Sequence, residues 1–448
     1  MVMSRATRVF GLMGVVGLLL ADTAWAAGQL SIERRVTDRL VRYASISTPS
    51  KEGVDKVPST DSQFRLAKLL VDELKAIGLG SVRFDSHGYV YATLSTNLPA
   101  SKARSVPSIG LIAHLDCSDT VAPGTIRPIV HQSYSGGDLV LPGDKTQVIR
   151  VASNANLNKF KGSGIVTSDG TTLLGADDKA GIAEIVTALE ELIRHPEIPR
   201  PTLKIVFTPD EEIGRSCDFL DVRAIGAKYA YTIDGDEVGV YNDETFNAAM
   251  ATVTFCGKSS HPGDAKGRMI NSLYAAAWFV GEVPTKLRAE HSSERKGYIH
   301  PMEIKGNEER STVSLLIRDF TREGMAAKSR LLERMRRRAA DKFPGTSVKL
   351  EVREEYRNMK EVLDRTPFVS GFLAEAIERG GLKASRRAVR GGTDGSALSF
   401  RGLPTANVFT GAENVHSKLE WVSTKALEQA VATIVRLTEI WATKGASK

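Results

Sequence analysis

Apolar positions recur along this chain with two alternating periods. Between residues 64 and 77, Leu66, Leu69, Leu70, Leu74 and Ile77 fall at helical spacing and predict a helix from Phe64 to Ile77. Ile182, Ile185, Val186, Leu189, Leu192 and Ile193 share one face of a second helix. Short continuous apolar runs, Ile109 to Ala113, Leu203 to Phe207 and Tyr229 to Ile233, read as strands buried on both faces. Strands separated by helices predict an α/β sheet covered on both sides.

The pattern changes near residue 248. A strand (Ala251 to Phe255), a helix (Asn271 to Val283), two strands (Tyr298 to Ile304 and Thr312 to Ile317), a basic helix (Gly324 to Lys342) and a strand (Ser347 to Val352) follow in turn. That order, βαββαβ, is ferredoxin-like. The α/β pattern then resumes, with Phe368 to Glu378 helical and Ala406 to Phe409 a strand. The expectation is a catalytic α/β domain, residues 27–247 and 356–448, carrying an inserted α+β lid, residues 248–355. No internal repeat or low-complexity segment interrupts it.

The N-terminal segment has a different logic. Arg5 and Arg8 precede an apolar run from Val9 to Ala21, and Ala24-Trp25-Ala26 supplies small residues flanking a cut. This predicts a cleavable signal peptide, residues 1–26, and a periplasmic or secreted protein. The run is shorter than the roughly 20 residues a membrane span requires. No other run reaches that length, so the mature chain is expected to lack a membrane span.

Composition narrows the function classes. The 448 residues are 42% hydrophobic and 25% charged, as in globular proteins. Three cysteines, Cys117, Cys217 and Cys256, are too few for a disulfide scaffold. The net charge of +7 is spread over 60 basic and 53 acidic residues. Nucleic acid is therefore not an expected partner.

Candidate chemistry gathers where the predicted strands end. Ile109 to Ala113 runs into His114-Leu115-Asp116, Leu203 to Thr208 into Pro209-Asp210-Glu211-Glu212, Tyr229 to Ile233 into Asp234, and Ala406 to Thr410 toward His416. Asp177 and Asp178 stand just ahead of a helix. The carboxyl ends of strands in an open α/β sheet line its functional crevice, so these segments can converge. Two imidazoles with several carboxylates suit a pair of zinc-like ions. Each acid alone would read as a cap or a solvated loop residue, and Asp178 is read as a helix cap and Asp210 as a turn residue. Cys117 is read as a small packed residue.

The blocks His114-Leu115-Asp116, Leu174-Gly175-Ala176-Asp177-Asp178-Lys179-Ala180-Gly181, Phe207-Thr208-Pro209-Asp210-Glu211-Glu212 and Arg390-Gly391-Gly392-Thr393-Asp394-Gly395 give the chain a family likeness. From Val57-Pro58-Ser59-Thr60 onward it resembles the peptidase T-type tripeptide aminopeptidases. These belong with the dinuclear zinc exopeptidases that include carboxypeptidase G and succinyl-diaminopimelate desuccinylase. The resemblance implies two zinc ions, with cobalt or manganese able to replace them in vitro. Asp177 would bridge them, His114 and Asp234 would complete one site, and Glu212 and His416 the other. Glu211 would be the general base and Asp116 the residue that orients His114.

In the lid, His261 of Ser260-His261-Pro262-Gly263 would help bind the substrate carbonyl. Asn271 would bind peptide, and Arg318 and Arg390 are candidates for its carboxylate, which the arginine fork matches. For Arg318 a salt bridge within the lid is an equal reading. The implied activity is hydrolysis of the N-terminal residue of short peptides. The alternatives are an N-acyl amino acid amidohydrolase or carboxypeptidase on the same site, and an inactive peptide-binding protein.

Two departures touch the site. The family's glycine run after Asp234 is replaced by Gly235-Asp236-Glu237, and its second C-terminal histidine by Leu419 in His416-Ser417-Lys418-Leu419-Glu420. The oligomeric state is left open.

Overall fold

The computed structural model describes residues 30–447, so the expected signal peptide lies outside the described residues. Four parallel strands form the centre of an eight-stranded sheet, in the order Leu203–Thr208, Ile109–His114, Tyr229–Gly235, Thr405–Phe409. These are the continuous apolar runs of the sequence, and they are almost wholly buried because helices cover both faces. Two antiparallel strands, Gly80–Phe84 and Val90–Leu94, extend one edge, and Val240–Asn242 with Ser385–Arg386 the other.

The helix Ala176–Arg194 is packed against Ile32–Ala44, Thr424–Lys444 and the central strands. Ser31 and Ser423 start the two flanking helices as N-caps, each hydroxyl accepting a backbone N–H of the first turn. Ile129–His131, Ile165–Thr167, Trp421–Ser423 and Ala412–Glu413 form a separate small antiparallel sheet. Its strands of two or three residues leave no periodic signal, and the sequence reading did not include them.

The second domain is an antiparallel sheet running from Asn247 to Tyr356, in the order Tyr298–Gly306, Arg310–Asp319, Asn247–Cys256, Ser347–Tyr356. With the helices Ser272–Gly281 and Arg322–Lys342 between its strands, it has the ferredoxin-like connectivity. It carries its own core, built around Val253, Phe255, Phe279, Leu315 and Leu332. The chain crosses between domains twice, and the crossings are hydrogen-bonded to each other. Asn358 accepts from Thr245 N at 3.0 Å, Asn247 Oδ1 accepts from Asn358 N at 3.0 Å, and Thr245 Oγ1 accepts from Met359 N at 3.2 Å.

A carboxyl sits in the larger core without a polar partner among the described residues. Glu184, in the helix Ala176–Arg194, is fully buried, and neither carboxylate oxygen has a hydrogen-bond partner among the described residues. Burial pushes its carboxyl well above the ordinary carboxylate range. The folded state therefore holds a proton that the unfolded chain, with an ordinary value of 4.5, releases. Stability declines as pH rises above that value and stops declining once the folded group ionises. Glu184→Gln keeps the shape and removes the ionisation. It should raise the melting temperature at pH 8 by at least about 2 °C and change it little at pH 4. Thermal unfolding at both pH values checks this, and equal gains at the two would exclude a titrating Glu184.

Candidate metal centre

The four central strands end on one side of the sheet, and their last residues bring the candidate ligands together. His114 ends its strand and Asp234 is the second-last residue of the neighbouring one. Glu211 and Glu212 follow Thr208 in a turn, and His416 lies in the loop beyond Ala412–Glu413. Asp177 enters from the start of the central helix, where its own backbone and that of Asp178 are still non-helical. His416 Nε2 is 3.1 Å from Asp177 Oδ2 and 2.8 Å from Glu212 Oε2. His114 Nε2 is 2.9 Å from Asp177 Oδ1 and 3.6 Å from Asp234 Oδ1.

Two triads result, His114–Asp177–Asp234 and Asp177–Glu212–His416. In each, one potential ligand atom per residue lies within 4.8 Å of the others, and Asp177 belongs to both.

Buried acids hold these ligands in place. Asp116, fully buried, accepts the backbone N–H groups of Glu211 at 3.0 Å and Glu212 at 3.1 Å. Its Oδ1 is 3.4 Å and its carbonyl oxygen 3.1 Å from His114 Nδ1, so the far side of the imidazole is held while Nε2 faces the triad. Glu420 accepts the N–H groups of Leu174, Gly175 and Asp177 at 2.8, 2.7 and 3.0 Å, which fixes the loop that presents Asp177. Asp394 accepts from Thr208 Oγ1 at 2.8 Å and from Ser216 Oγ, behind Glu211.

Asp178 does cap its helix, accepting Gly181 N at 3.2 Å, but its other oxygen also accepts His114 N at 3.1 Å. Asp210 is more than a turn residue. With φ of 55° it turns its carboxylate to Ser59 N at 2.6 Å and Gln63 Nε2 at 2.6 Å, tying the N-terminal segment to the Glu211 loop.

The electrostatics of the site call for cations. Burial pushes the carboxyls of Glu211 and Glu212 upward and that of Asp234 up to about 7, and in each case neighbouring acids add to the effect. Hydrogen bonds to Asp177 and Glu212 push His416 up to about 11. Burial is the largest cause for the three carboxyls, and the crowding of acids around them, which also holds the proton on His416, adds to it. Glu212 Oε1 is buried with no hydrogen-bond partner among the described residues. An orphaned carboxylate oxygen, imidazole nitrogens facing shared carboxylates and no thiolate make a donor set that fits two zinc-like ions. Cys117 stays outside it, packed near Ile126 and Leu173 with Lys179 Nζ donating to its sulfur at 3.3 Å.

The remaining candidates lie apart from this cluster. His261 is exposed at a loop of the second domain, its Nδ1 accepting from Gly263 N. Asn271 uses its amide oxygen to cap the helix Ser272–Gly281. Arg318 pairs with Glu355 at 3.1 Å and donates to the Ile317 carbonyl, the within-lid salt bridge that the sequence left equally open. Arg390 donates to the carbonyls of Glu294, Lys296 and Ser292 and to Ser292 Oγ. It latches the two domains, and each guanidinium is engaged in this conformation by the protein's own oxygens.

Of the two departures, Leu419 packs against the main core, and Glu237 pairs with Lys159 and Arg387. Asp236 is exposed. The sequence reading passed over Glu420 and Asp394 as functional residues, although both fall inside motifs it singled out.

Comparison with known proteins agrees with this geometry. A family model described as peptidase family M20/M25/M40 matches residues 161–440. Peptidase T of Clostridium acetobutylicum is 42% identical over 409 residues, covering 91% of this chain and 99% of that protein. The fold matches the crystal structure of aminopeptidase PepT from Bacillus cereus (TM-score 0.70, 22% identity, 93% of this chain and 99% of that one). It also matches a tripeptidase from Staphylococcus aureus (TM-score 0.71, 20% identity, 92% and 99%). A Bacillus subtilis protein described as a dinuclear metal binding peptidase from the M20 family matches at TM-score 0.62 and 13% identity, over 91% and 98%.

Proposed function

This chain belongs to the M20/M25/M40 peptidases and, among them, to the peptidase T group, and from that premise we propose that it releases the N-terminal residue of short peptides, tripeptides above all, with two zinc ions. The observation that carries the reading is the pair of ligand triads sharing Asp177, with Glu211 beside them. The solved aminopeptidase and tripeptidase that share the fold support the substrate class.

His114, Asp177 and Asp234 would hold one ion, and Asp177, Glu212 and His416 the other. When bound, such a pair polarises the scissile carbonyl and acidifies the attacking water. The chain's own residues do the rest. Glu211 takes the water's proton at its carboxylate and passes it to the departing amine, a role suited to a carboxyl whose proton affinity burial raises. Asp116 holds Glu211 by its backbone N–H and His114 by its Nδ1 side, so base and ligand keep a fixed relation. His261, on the exposed lid loop, is the histidine we assign to the substrate carbonyl.

The test is direct. Enzyme reconstituted with zinc or cobalt is offered tripeptides, C-terminally amidated tripeptides and N-acetyl amino acids, and released amino acids are measured. Release of the N-terminal residue from tripeptides is expected. Cleavage of acyl amino acids alone would replace this reading with an amidohydrolase.

We further propose export. Arg5, Arg8, the apolar run to Ala21 and Ala24-Trp25-Ala26 support a cut after Ala26. Among the described residues no helix is long and apolar enough to cross a membrane. The purified native protein should begin at Ala27 and fractionate with the periplasm. Mass spectrometry finding Met1 on a cytoplasmic pool would defeat this.

A further inference from the structure

Lys179 is fully buried near the start of the helix Ala176–Arg194. The two other buried cationic side chains among the described residues are matched with carboxylates: Arg39 with Glu73 and Glu190, and Lys328 with Asp319. That is the usual arrangement, because a cationic group taken out of water needs a partner. Lys179 has a sulfur instead. Its Nζ lies 3.3 Å from Cys117 Sγ and makes no ion pair with a carboxylate among the described residues.

Cys117 is a free thiol, and it is as deeply buried. Thr48 Oγ1 lies 3.6 Å from its sulfur and donates to the Leu115 carbonyl at 2.7 Å. Nitrogen and sulfur meet over Gly175. A Cβ built there would lie 3.1 Å from Lys179 Nζ and 3.5 Å from Cys117 Sγ, so the bare backbone is what leaves the pair its room. Cys117 also lines a narrow cavity with Ser47, Pro49, Val121, Ile126 and Leu173, which has space for about one molecule the size of water. An amine held against a thiol, with no competing carboxylate and a cavity beside the sulfur, is placed for chemistry that the hydrolytic site does not use.

We propose that Cys117 and Lys179 are a modification site, at which hydrogen peroxide drives a reversible covalent link between sulfur and nitrogen. Peroxide first passes one oxygen to the sulfur. The O–O bond breaks, an S–O bond forms, the sulfur is oxidised by two electrons to a sulfenic acid, and one water leaves. The lone pair of the Lys179 amine then attacks the sulfur, as nitrogen within reach of a sulfenic acid does. An S–N bond forms, the S–O bond breaks, and the hydroxyl departs as a second water with one of the amine's hydrogens. Thiol, amine and peroxide thus give a sulfenamide and two waters. Two equivalents of a thiol reductant reverse the link, returning thiol and amine as the reductant becomes a disulfide. The link ties the segment that presents Asp177 to the one that follows His114-Leu115-Asp116. It stands independently of the peptidase reading.

The test uses the wild-type protein as purified and loaded with zinc. It is treated with hydrogen peroxide, unfolded in an alkylating reagent, digested with trypsin and mapped by mass spectrometry. Expected is a joined pair of peptides, one holding Cys117 and the other Lys179, lighter than their sum by about 2 Da. Trypsin should fail to cut after Lys179 in that pair, and dithiothreitol added before alkylation should abolish it. Cys117→Ser and Lys179→Arg should each yield no pair. The wild type decides the outcome, so poor folding of either variant leaves the test standing. Cys117 recovered only as the alkylated thiol, or only as the sulfinic acid on an unjoined peptide, overturns the proposal. So does a lysine joined to Cys217 or Cys256 in equal yield, which would make the link unspecific.

Discussion

Replacing Glu211 with glutamine is expected to lower turnover of a tripeptide at least a hundredfold while leaving the zinc content at the wild-type level. The two halves of this result come from different features of one residue. Glutamine matches glutamate in volume, and the Glu211 backbone N–H that Asp116 holds at 3.0 Å is untouched, so the turn carrying Glu212 keeps its place. Glu211 itself belongs to neither ligand triad. What the substitution removes is a proton acceptor, and general acid–base catalysis contributes about a hundredfold to ten-thousandfold. Steady-state kinetics and metal analysis on one preparation check both halves. A variant that keeps most of its turnover would refute the mechanism. One that loses zinc along with activity would place Glu211 among the ligands.

The second large effect belongs to Asp177. Because it stands in both triads, Asp177→Ala leaves His114 and Asp234 on one side and Glu212 and His416 on the other, two protein ligands for each ion. Asp234→Ala leaves the Asp177–Glu212–His416 triad whole. Metal content should therefore fall below one ion per chain in Asp177→Ala and stay near one in Asp234→Ala, with activity lost in the first. Equilibrium dialysis against zinc at fixed pH measures it. The pH must be fixed because ligand protons compete with the metal. Hydrogen bonds to Asp177 and Glu212 hold a proton on His416 up to about 11 in the metal-free site, so zinc uptake releases protons and weakens in acid. Two ions bound with unchanged affinity in Asp177→Ala would end the bridging assignment.

Much of this centre could be read from sequence because of how parallel strands are built. A strand buried on both faces is a continuous apolar run, and the first polar residues after it mark its carboxyl end. His114, Asp234 and Glu211-Glu212 announce themselves in that way. Asp116, two residues after His114, does so too, but Glu420, which also holds the ligands, does not. Glu420 reaches Asp177 across 243 positions, and the small sheet joining Trp421–Ser423 to Ile165–Thr167 helps bring the two segments together. Those strands are too short to show a period. Arg318 and Arg390 illustrate another limit. A guanidinium suits a substrate carboxylate and the protein's own oxygens equally well, and residue type alone cannot say that Glu355 and the carbonyls of residues 292–296 are within reach.

The side-by-side crossings between the domains bear on how such a protein could arise. Ala248 and Tyr356 are register partners on adjacent antiparallel strands, so the inserted domain begins and ends about 5 Å apart. A segment whose ends nearly touch can enter a loop of an existing sheet without rerouting any strand around it, and can leave by the same junction. The order of the parallel strands, and with it the meeting of His114, Asp177, Glu212, Asp234 and His416, does not depend on what is spliced in there. An ancestor could thus have carried the metal-binding constellation on a bare α/β platform and acquired its cover afterwards. Later exchange of that cover would alter which peptides are admitted while the hydrolytic chemistry was inherited unchanged.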